Sequence, residues 1–352
     1  MATDDSPVSL VTGACGFIGT HMVEVLSGAG HRVRATDLEA ATREDDRVLG
    51  RFPSVVRNLK DVELTPSDMT RPETLAPLVS GVDYVFHIAS IFSYSAPAEA
   101  LNRVNVLATR QLLDLLLREK KLKRIVVWGA GGVYGIPGPE DLPLREDLAP
   151  SPPNNYLRSK WRQEFTTMEY GRRHGLPYTI IRPTTVYGPR AVYGSGQLLL
   201  GTARQDPVLA PANFDGRVPF VHVRDVCRAA LYLAEHEAGK GEVFNVSDDS
   251  TISSIDVLRF IAEITGHRFV MLPPVPIEAL RPLLRLVARG VVWLSQLTGT
   301  QPPLEPDVVE YLGRDFVFSN EKLKATGFRF LYPDARDGIR DTIRWYRENG
   351  WL

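Results

Sequence analysis

The sequence predicts an α/β fold: a doubly wound parallel sheet followed by a smaller, discontinuous C-terminal substrate-binding lobe. Three features carry that expectation. Short apolar runs alternate with helical patterns through the first half, as βαβ units do when they feed a parallel sheet. A glycine-rich turn stands between the first run and the first helical pattern, where such sheets open a crevice at the carboxyl ends of their strands. After Pro189 the rhythm breaks into Gly- and Pro-containing segments, then resumes near Val218.

Taken in order, residues 8–12, 31–37, 62–65, 82–89, 124–128 and 178–182 read as strands, because aliphatic and β-branched residues run between turn formers. Residues 18–29, 98–120 and 156–174 carry the helical period between them. Beyond the break, 218–223 and 243–246 read as strands and 226–236 as a helix. The expected division gives residues 1–189 to a dinucleotide-binding domain, with 223–250 returning to it. Residues 190–222 and 251–352 form the substrate-binding lobe.

Composition narrows the function. Lys and Arg total 41 against 42 Asp and Glu, so no net field steers the chain toward nucleic acid or a membrane surface, and a small-molecule substrate is expected. Two cysteines, Cys15 and Cys227, make neither a disulfide framework nor a metal cluster, which suits a reduced, cytoplasmic setting and a site without metal. The start of the chain is polar and acidic (Thr3, Asp4, Asp5), unlike a signal peptide. No uncharged apolar stretch is long enough for a membrane span.

Residues 12–19 read Thr-Gly-Ala-Cys-Gly-Phe-Ile-Gly. Gly13, Gly16 and Gly19 suit a tight turn, close approach of backbone to a pyrophosphate, and close packing of helix on strand, while the helix N-terminus favours the anion. Glycines alone are a weak signal. Asp37 strengthens it, closing the second strand where a carboxylate would bind the adenosine ribose hydroxyls and repel a 2′-phosphate. NAD is therefore expected over NADP on a Rossmann-type domain, with Arg43 and Arg47 the residues that argue the other way. Asp68 and Met69, after the third strand, either flank the adenine or form a plain turn.

Tyr156 and Lys160 stand four apart at the start of a helical pattern, so both lie on one face. A phenol titrates near about 10, and a neighbouring ammonium favours its ionised form. The pair therefore suits proton transfer, with a solvated helical pair as the alternative.

Together with Thr12-Gly13-x-x-Gly16-Phe17-Ile18-Gly19 and Asp37, the sequence carries Asp68, His87-Ile88-Ala89, Asn105, Val133-Tyr134-Gly135, Tyr156-x-x-x-Lys160 and Arg182-Pro183-x-x-Val186-Tyr187-Gly188-Pro189. This set resembles the extended short-chain dehydrogenase/reductases, which include nucleotide-sugar epimerases and dehydratases and the 3β-hydroxysteroid dehydrogenase-like enzymes. The resemblance covers nearly the whole chain. It implies Tyr156 as acid/base, Lys160 as its pKa modulator and ribose ligand, and Asn105 as support for the site. Gly13, Gly16, Phe17, Ile18, Gly19, Asp37, Asp68, Met69, Ile88, Ala89, Ser90, Pro183 and Thr185 would hold the NAD, with Thr184 beside them.

One position departs from the pattern. Three residues before Val133, where the family usually places a Ser or Thr to hydrogen-bond the substrate oxygen, stands Ala130, and its neighbours from Trp128 to Gly132 supply no hydroxyl. Losing such a donor costs on the order of 10²-fold in rate, unless another group or a water replaces it.

The substrate is less legible. Thr185 stands where nucleotide-sugar enzymes of the family often carry Asn. Residues 277–297 are rich in Leu, Val and Trp, with Arg281, Arg285 and Arg289 along one stripe. They look similar to the apolar lid of the steroid dehydrogenase-like branch, though a helix packed on its own core reads the same way. Arg190, Arg217 and Arg224 would suit a diphosphate clamp or plain salt bridges, and His222 reads as scaffold.

The expectation is thus an NAD-dependent dehydrogenase/reductase acting on a secondary alcohol or ketone, with a bulky apolar skeleton in view. A nucleotide-sugar epimerase or dehydratase and a non-catalytic dinucleotide-sensing protein are the alternatives. The resemblance also implies a homodimer through helices near 106–118 and 156–173.

Overall fold

The computed structural model describes residues 5–298, 302 and 306–352; Thr3 and Asp4 of the acidic start lie outside the described residues. Seven parallel strands form the main sheet: β1 (Val8–Thr12), β2 (Arg32–Asp37), β3 (Val62–Pro66), β4 (Tyr84–His87), β5 (Arg124–Trp128), β6 (Tyr178–Pro183) and β10 (Glu242–Val246). Their order across the sheet is β10-β6-β5-β4-β1-β2-β3. The chain works outward from β1 through β2 and β3, then crosses back to β4 on the other side, which is the doubly wound arrangement the sequence led us to expect. Two short parallel pairs complete the strands among the described residues: β7 (Thr185–Tyr187) with β9 (Phe220–His222), and β8 (Val208–Pro211) with β11 (Phe269–Leu272).

Helices cover both faces, which is why the strands read as unbroken apolar runs. Successive strand residues feed opposite sides. Val11, Phe86, Val126 and Ile181 enter one core with α1 (Phe17–Gly28) and α9 (Val223–Glu235), defined by Met22, Leu26, Val226 and Leu233. Leu10, Val85, Ile125 and Ile180 enter the other with α4 (Pro72–Val79) and α6 (Ala108–Leu116). The short helices α2 (Glu39–Arg43) and α3 (Pro53–Arg57) follow β2, and α5 (Ala98–Leu101) precedes α6. Between α5 and α6, residues Asn102–Leu107 form a π-helical segment, so 98–116 runs as one helix with a widened turn in its middle.

The long helix α7 (Asn155–His174) is bounded by local chemistry. The side chain of Asn154 accepts from the Leu157 amide at 2.9 Å, and Gly175 closes the helix in the left-handed region at φ 68°. A third core, including Tyr187, Leu199, Phe220, Ile261, Ile339 and Tyr346, joins α8 (Ser195–Ala203), α10 (Ser254–Thr265) and α13 (Ala335–Glu348). The remaining helices are α11 (Ile277–Thr298) and α12 (Glu321–Ala325). Of the arginine stripe in α11 only Arg281 turns inward, buried against Glu278 and the Val309 and Leu312 carbonyls; Arg285 pairs with Glu310 while partly exposed, and Arg289 is exposed. Leu283, Leu286, Val287, Trp293, Leu294 and Leu297 are each more than half exposed. Packing on its own core does not describe this helix. Among the described residues, no helix is long and apolar enough to cross a membrane.

At the end of β10, Asp248 is buried with Oδ1 accepting from the Ser250 amide (2.9 Å) and hydroxyl (2.6 Å), while Oδ2 has no protein partner. Burial, then those hydrogen bonds and the nearby Asp334 and Asp249, leave its carboxyl pushed up to about 8. Because the folded carboxyl keeps a proton that the unfolded chain releases near pH 4, stability falls as pH rises from about 4 to about 8 and levels above that. Asp248→Asn removes this dependence. The variant is expected to match the wild type near pH 4 and exceed it at pH 8 by more than about 1.4 kcal/mol, the equivalent of one pKa unit. Urea unfolding at the two pH values reads the difference, and equal wild-type and variant curves at pH 8 would refute the account.

Candidate active site

Every strand of the main sheet ends at one edge, so the residues just past those ends form a single crevice whose centre is the crossover between β1 and β4. There Thr12 Oγ1 accepts from the amides of both Ile88 and Ala89, each at 3.2 Å, and lies 2.9 Å from His87 Nδ1. His87 Nε2 lies 2.8 Å from Thr109 Oγ1, which also takes a hydrogen bond from Gln163 at 3.0 Å. Burial, and after it the charge of Lys160, lower His87 to about 3, so it is neutral here.

The glycine turn is fixed against this junction. Gly13 has φ +70°, and a Cβ on it would stand 2.9 Å from the Ala89 nitrogen; a Cβ on Gly19 would overlap the Gly13 carbonyl. Both must be glycine for α1 to start where it does. Gly16 differs: a Cβ there would meet only Gly13 O at 3.5 Å. Space inside the protein does not demand glycine at 16, whereas a ligand drawn against the turn would. Asp37 accepts from the Cys15 amide at 3.0 Å through one oxygen and from Leu38 at 2.8 Å through the other. Burial raises its carboxyl, opposed by these bonds and by Arg51. Each oxygen keeps lone-pair capacity for a further donor. Arg43 is taken up by Glu39 at 2.7 Å and Arg47 sits over the Trp351 ring at 5.6 Å.

Asp68 folds into its own turn, accepting from Thr70 N (2.9 Å) and Oγ1 (2.7 Å); burial raises its carboxyl, but these bonds and Arg71 hold it below the usual range. Met69 is buried with Leu10 and Leu75 in the core behind the sheet. Ser90 is half-buried just past Ala89. Pro183 ends β6 as a buried residue, and Thr185 opens β7, its amide donating to Pro219 O at 3.0 Å.

Tyr156 and Lys160 are both buried in the first turns of α7. Burial lowers Lys160 to about 8, with Glu164 one turn further on pulling the other way. Burial also pushes the Tyr156 phenol well above its ordinary value, and the phenol of Tyr193 adds to the rise. Lys160 is not among the groups that shift the phenol, so in the protein alone burial sets its direction, and the expectation that lysine and an oxidised nicotinamide together lower it concerns the loaded site. Asn105, fully buried in the π-helical segment, anchors the surroundings: its Oδ1 accepts from Ile91 N (2.8 Å), and its Nδ2 donates to Ile91 O (3.1 Å) and Ser159 Oγ (2.9 Å). Ser159 in turn donates to the Tyr156 carbonyl at 2.7 Å. The structure thus ties the loop after β4 to the helix that carries Tyr156.

Several neighbours were not singled out by the sequence. Glu164 is fully buried and receives Arg182 through Nε and Nη2, both at 2.9 Å; Arg182 Nη1 donates to Tyr134, which donates to Asn245 Oδ1, each at 2.8 Å. Its place four residues beyond Lys160 was the available signal. Phe92, Tyr94 and Tyr193 surround Tyr156 from loops that carry no periodicity. Ala130 packs against the cluster of Leu101, Tyr156 and Leu157 and also against that of Val133, Tyr134 and Leu144. The proposed arginine clamp does not assemble as free cations, since Arg190 is held by Glu24 at 2.6 Å and Arg217 by Asp315 at 2.8 Å. His222 caps α9, accepting from the Arg224 amide at 3.2 Å.

Comparison with known proteins follows the same lines. Residues 9–247 match the NAD dependent epimerase/dehydratase family. UDP-N-acetyl-alpha-D-glucosaminuronate decarboxylase of Bacillus cytotoxicus is 26% identical, over 96% of this chain and 97% of its own. The decarboxylating sterol-4-alpha-carboxylate 3-dehydrogenase of Mus musculus is 28% identical, over 91% of this chain and 86% of its own. The crystal structure of the Thermus thermophilus UDP-glucose 4-epimerase in complex with NAD is similar with a TM-score of 0.70 at 25% identity, covering 97% of this chain and 99% of that one.

Removing the Asn105 amide would leave Ile91 N, Ile91 O and Ser159 Oγ without their partner in a dry site. Asn105→Ala is expected to lose roughly 2–4 kcal/mol of stability. It should also speed hydrogen exchange at the Ile91 amide. An unchanged Ile91 exchange rate would show that the loop is held by something else.

Proposed function

The chain belongs to the NAD-dependent epimerase/dehydratase family, and from that premise we propose that it is an NAD-linked oxidoreductase acting on a secondary alcohol or ketone, with Tyr156 as its acid/base. The observation that carries the reading is that Tyr156 and Lys160 are both buried in the first turns of α7, which Ser159 and Asn105 tie to the loop after β4. The fit is local and physical. The open face of Gly16 and the N-terminus of α1 suit the pyrophosphate, and the Asp37 carboxylate suits the adenosine ribose hydroxyls and disfavours a 2′-phosphate. Gly13, Phe17, Ile18 and Gly19 would complete the turn around the diphosphate, with Asp68 and the Met69 backbone toward the adenine. Ile88, Ala89, Ser90, Pro183 and Thr185 would line the reactive end. Bound NAD supplies the hydride acceptor or donor.

The remaining chemistry belongs to side chains of this chain. In oxidation the Tyr156 oxygen takes the alcohol proton; in reduction it returns one to the carbonyl oxygen. Lys160, lowered only to about 8, still carries its charge at neutral pH, where it steadies the phenolate and holds a ribose. Asn105 acts through Ser159 and the Ile91 loop, fixing where the phenol stands. For the hydroxyl missing at Ala130 we propose another group or a water as the replacement, Thr184 and Thr185 just past β6 being the hydroxyls on the same edge.

The nucleotide-sugar alternative is favoured by the UDP-sugar enzymes among the relatives and disfavoured by Thr185 and by the engaged arginines. We place the enzyme in the cytoplasm, as its cysteine usage suggests, and as a homodimer through α6 and α7, where Leu117 and Phe165 lie exposed. A fluorescent protein fusion would show diffuse cytoplasmic signal, and a particle of twice 39.2 kDa is expected in sedimentation; envelope-bound fluorescence or monomer alone would refute the respective assignment.

A screen of secondary alcohols against the NAD-loaded enzyme should show cofactor reduction. Tyr156→Phe should lower kcat by about 10²–10⁴, with the dissociation constant for NAD changing far less. Conversion of sugar nucleotides without net cofactor change would replace this reading with the epimerase one.

A further inference from the structure

The crevice at the crossover lies between the turn after β1 and the loop after β4, and one side chain touches both walls. Tyr193, from the segment between β7 and α8, meets Phe17 at the end of the glycine turn edge-on, with ring centroids 6.2 Å apart at 83°. On the opposite wall it meets Phe92, tilted by 33° at 5.4 Å. Phe92 in turn stands edge-on to Tyr156, 5.2 Å away at 80°. Tyr193 therefore spans the crevice between the phosphate turn and the acid/base, and it comes from a segment outside the cofactor motifs.

That segment is built to hold the ring in place. At one end Arg190 donates to Glu24 of α1 at 2.6 Å, and His21 Nε2 on the same helix lies 2.9 Å from the Pro189 carbonyl. At the other end Ser195 donates to the Val186 carbonyl, and Gly194, at φ +56°, turns the chain into α8 directly after the ring. From outside, Gly50 is so close that a Cβ on it would stand 2.6 Å from Val192 Cγ2. The Tyr193 hydroxyl, by contrast, has no hydrogen-bond partner among the described residues. Burial, and after it the charge of Asp37, push the phenol up to about 12, so at neutral pH it carries a proton to donate. The same phenol is felt by Tyr156, so it stands between the carboxylate at one end of the crevice and the acid/base at the other. Between an adenosine ribose held at the first and a nicotinamide at the second runs the diphosphate, whose anionic oxygens take an O–H donor more strongly than neutral acceptors do.

We propose that Tyr193 is a further dinucleotide-binding residue: its ring closes over the diphosphate between Phe17 and Phe92, and its hydroxyl donates to a diphosphate oxygen. The inference rests on the NAD-binding reading above and adds a contact from the side of the crevice opposite the glycine turn's amides. Cofactor held beneath the ring leaves only when the contact between Tyr193 and Phe92 opens. Tyr193 binds; the proton of the reaction stays with Tyr156.

The test is a calorimetric titration of the full chain with NAD and with ADP-ribose, which keeps the diphosphate and lacks the nicotinamide. In Tyr193→Phe, which preserves the ring, the dissociation constant should rise about tenfold or more for both ligands. In Tyr193→Ala, release of NAD followed by stopped-flow fluorescence should quicken about fivefold beyond Tyr193→Phe. Affinities for both ligands unchanged in Tyr193→Phe overturn the hydroxyl contact while leaving the cofactor reading standing. A loss confined to NAD does the same, because it moves the hydroxyl to the nicotinamide end. Tighter binding in Tyr193→Ala would mean that the ring fills the crevice instead of covering it, which also overturns the proposal. Should Tyr193→Ala fold poorly, Tyr193→Phe decides alone. Failure of the wild type to bind NAD overturns the underlying reading and the inference with it.

Discussion

The amides of Ile88 and Ala89 both point at one hydroxyl, that of Thr12, and this shared acceptor joins the ends of β1 and β4 at the place where the sheet changes direction. A crossover of this kind leaves a gap between the loops that leave the two strands. Without a fixed separation the gap would have no defined width. Thr12 sets that width from below through His87 and Thr109, and Gly13 sets it from above by letting the turn rest on the Ala89 backbone. Asp37 then pins the same turn from the other side by holding the Cys15 amide. The crevice is thus set by side-chain oxygens that hold main-chain amides, together with the close approach of Gly13 to Ala89.

Behind the phenol the support is electrostatic. Glu164 and Arg182 are both buried, and a buried pair stays ionised only when geometry and further hydrogen bonds offset the loss of water. Here Arg182 donates to Glu164 and to Tyr134, lies over the Tyr134 ring at 4.9 Å, and leads through Tyr134 to Asn245 on β10. A Cβ on Gly129 would run into the Glu164 carboxylate, so the end of β5 is drawn directly onto α7. The ends of β5, β6 and β10 are thereby held together with α7. That matters because Tyr156 sits in the first turn of α7, the part of a helix with the fewest backbone bonds of its own.

How much of this the sequence disclosed follows from the range of the interactions involved. The strands were legible because burial on both faces writes a continuous apolar run into each, and the Tyr156–Lys160 spacing because a helix turns neighbouring positions to one side. Asn105 could be named but not its device, since a π-helical segment has no residue signature that separates it from ordinary helix. Phe92, Tyr94 and Tyr193 carry no period at all; only the meeting of loops about a hundred residues apart brings Phe92 against Tyr193. In α11 the pattern was visible and its direction was not: a stripe of arginines looks like a solvated face until Glu278 and two carbonyls turn its first member, Arg281, inward.

The raised phenol gives the site a consistent logic. Burial alone makes Tyr156 a weaker acid than tyrosine in water, so in the protein by itself the proton stays on oxygen. Lys160 is pushed the opposite way by the same burial, toward losing its charge, and Glu164 is the nearby group that resists this. Burial raises the Glu164 carboxyl in turn, and Arg182 and Lys160 oppose that rise, so the carboxylate and the lysine's charge support one another. In the protein alone, desolvation thus keeps the proton on the Tyr156 oxygen and draws Lys160 down only to about 8.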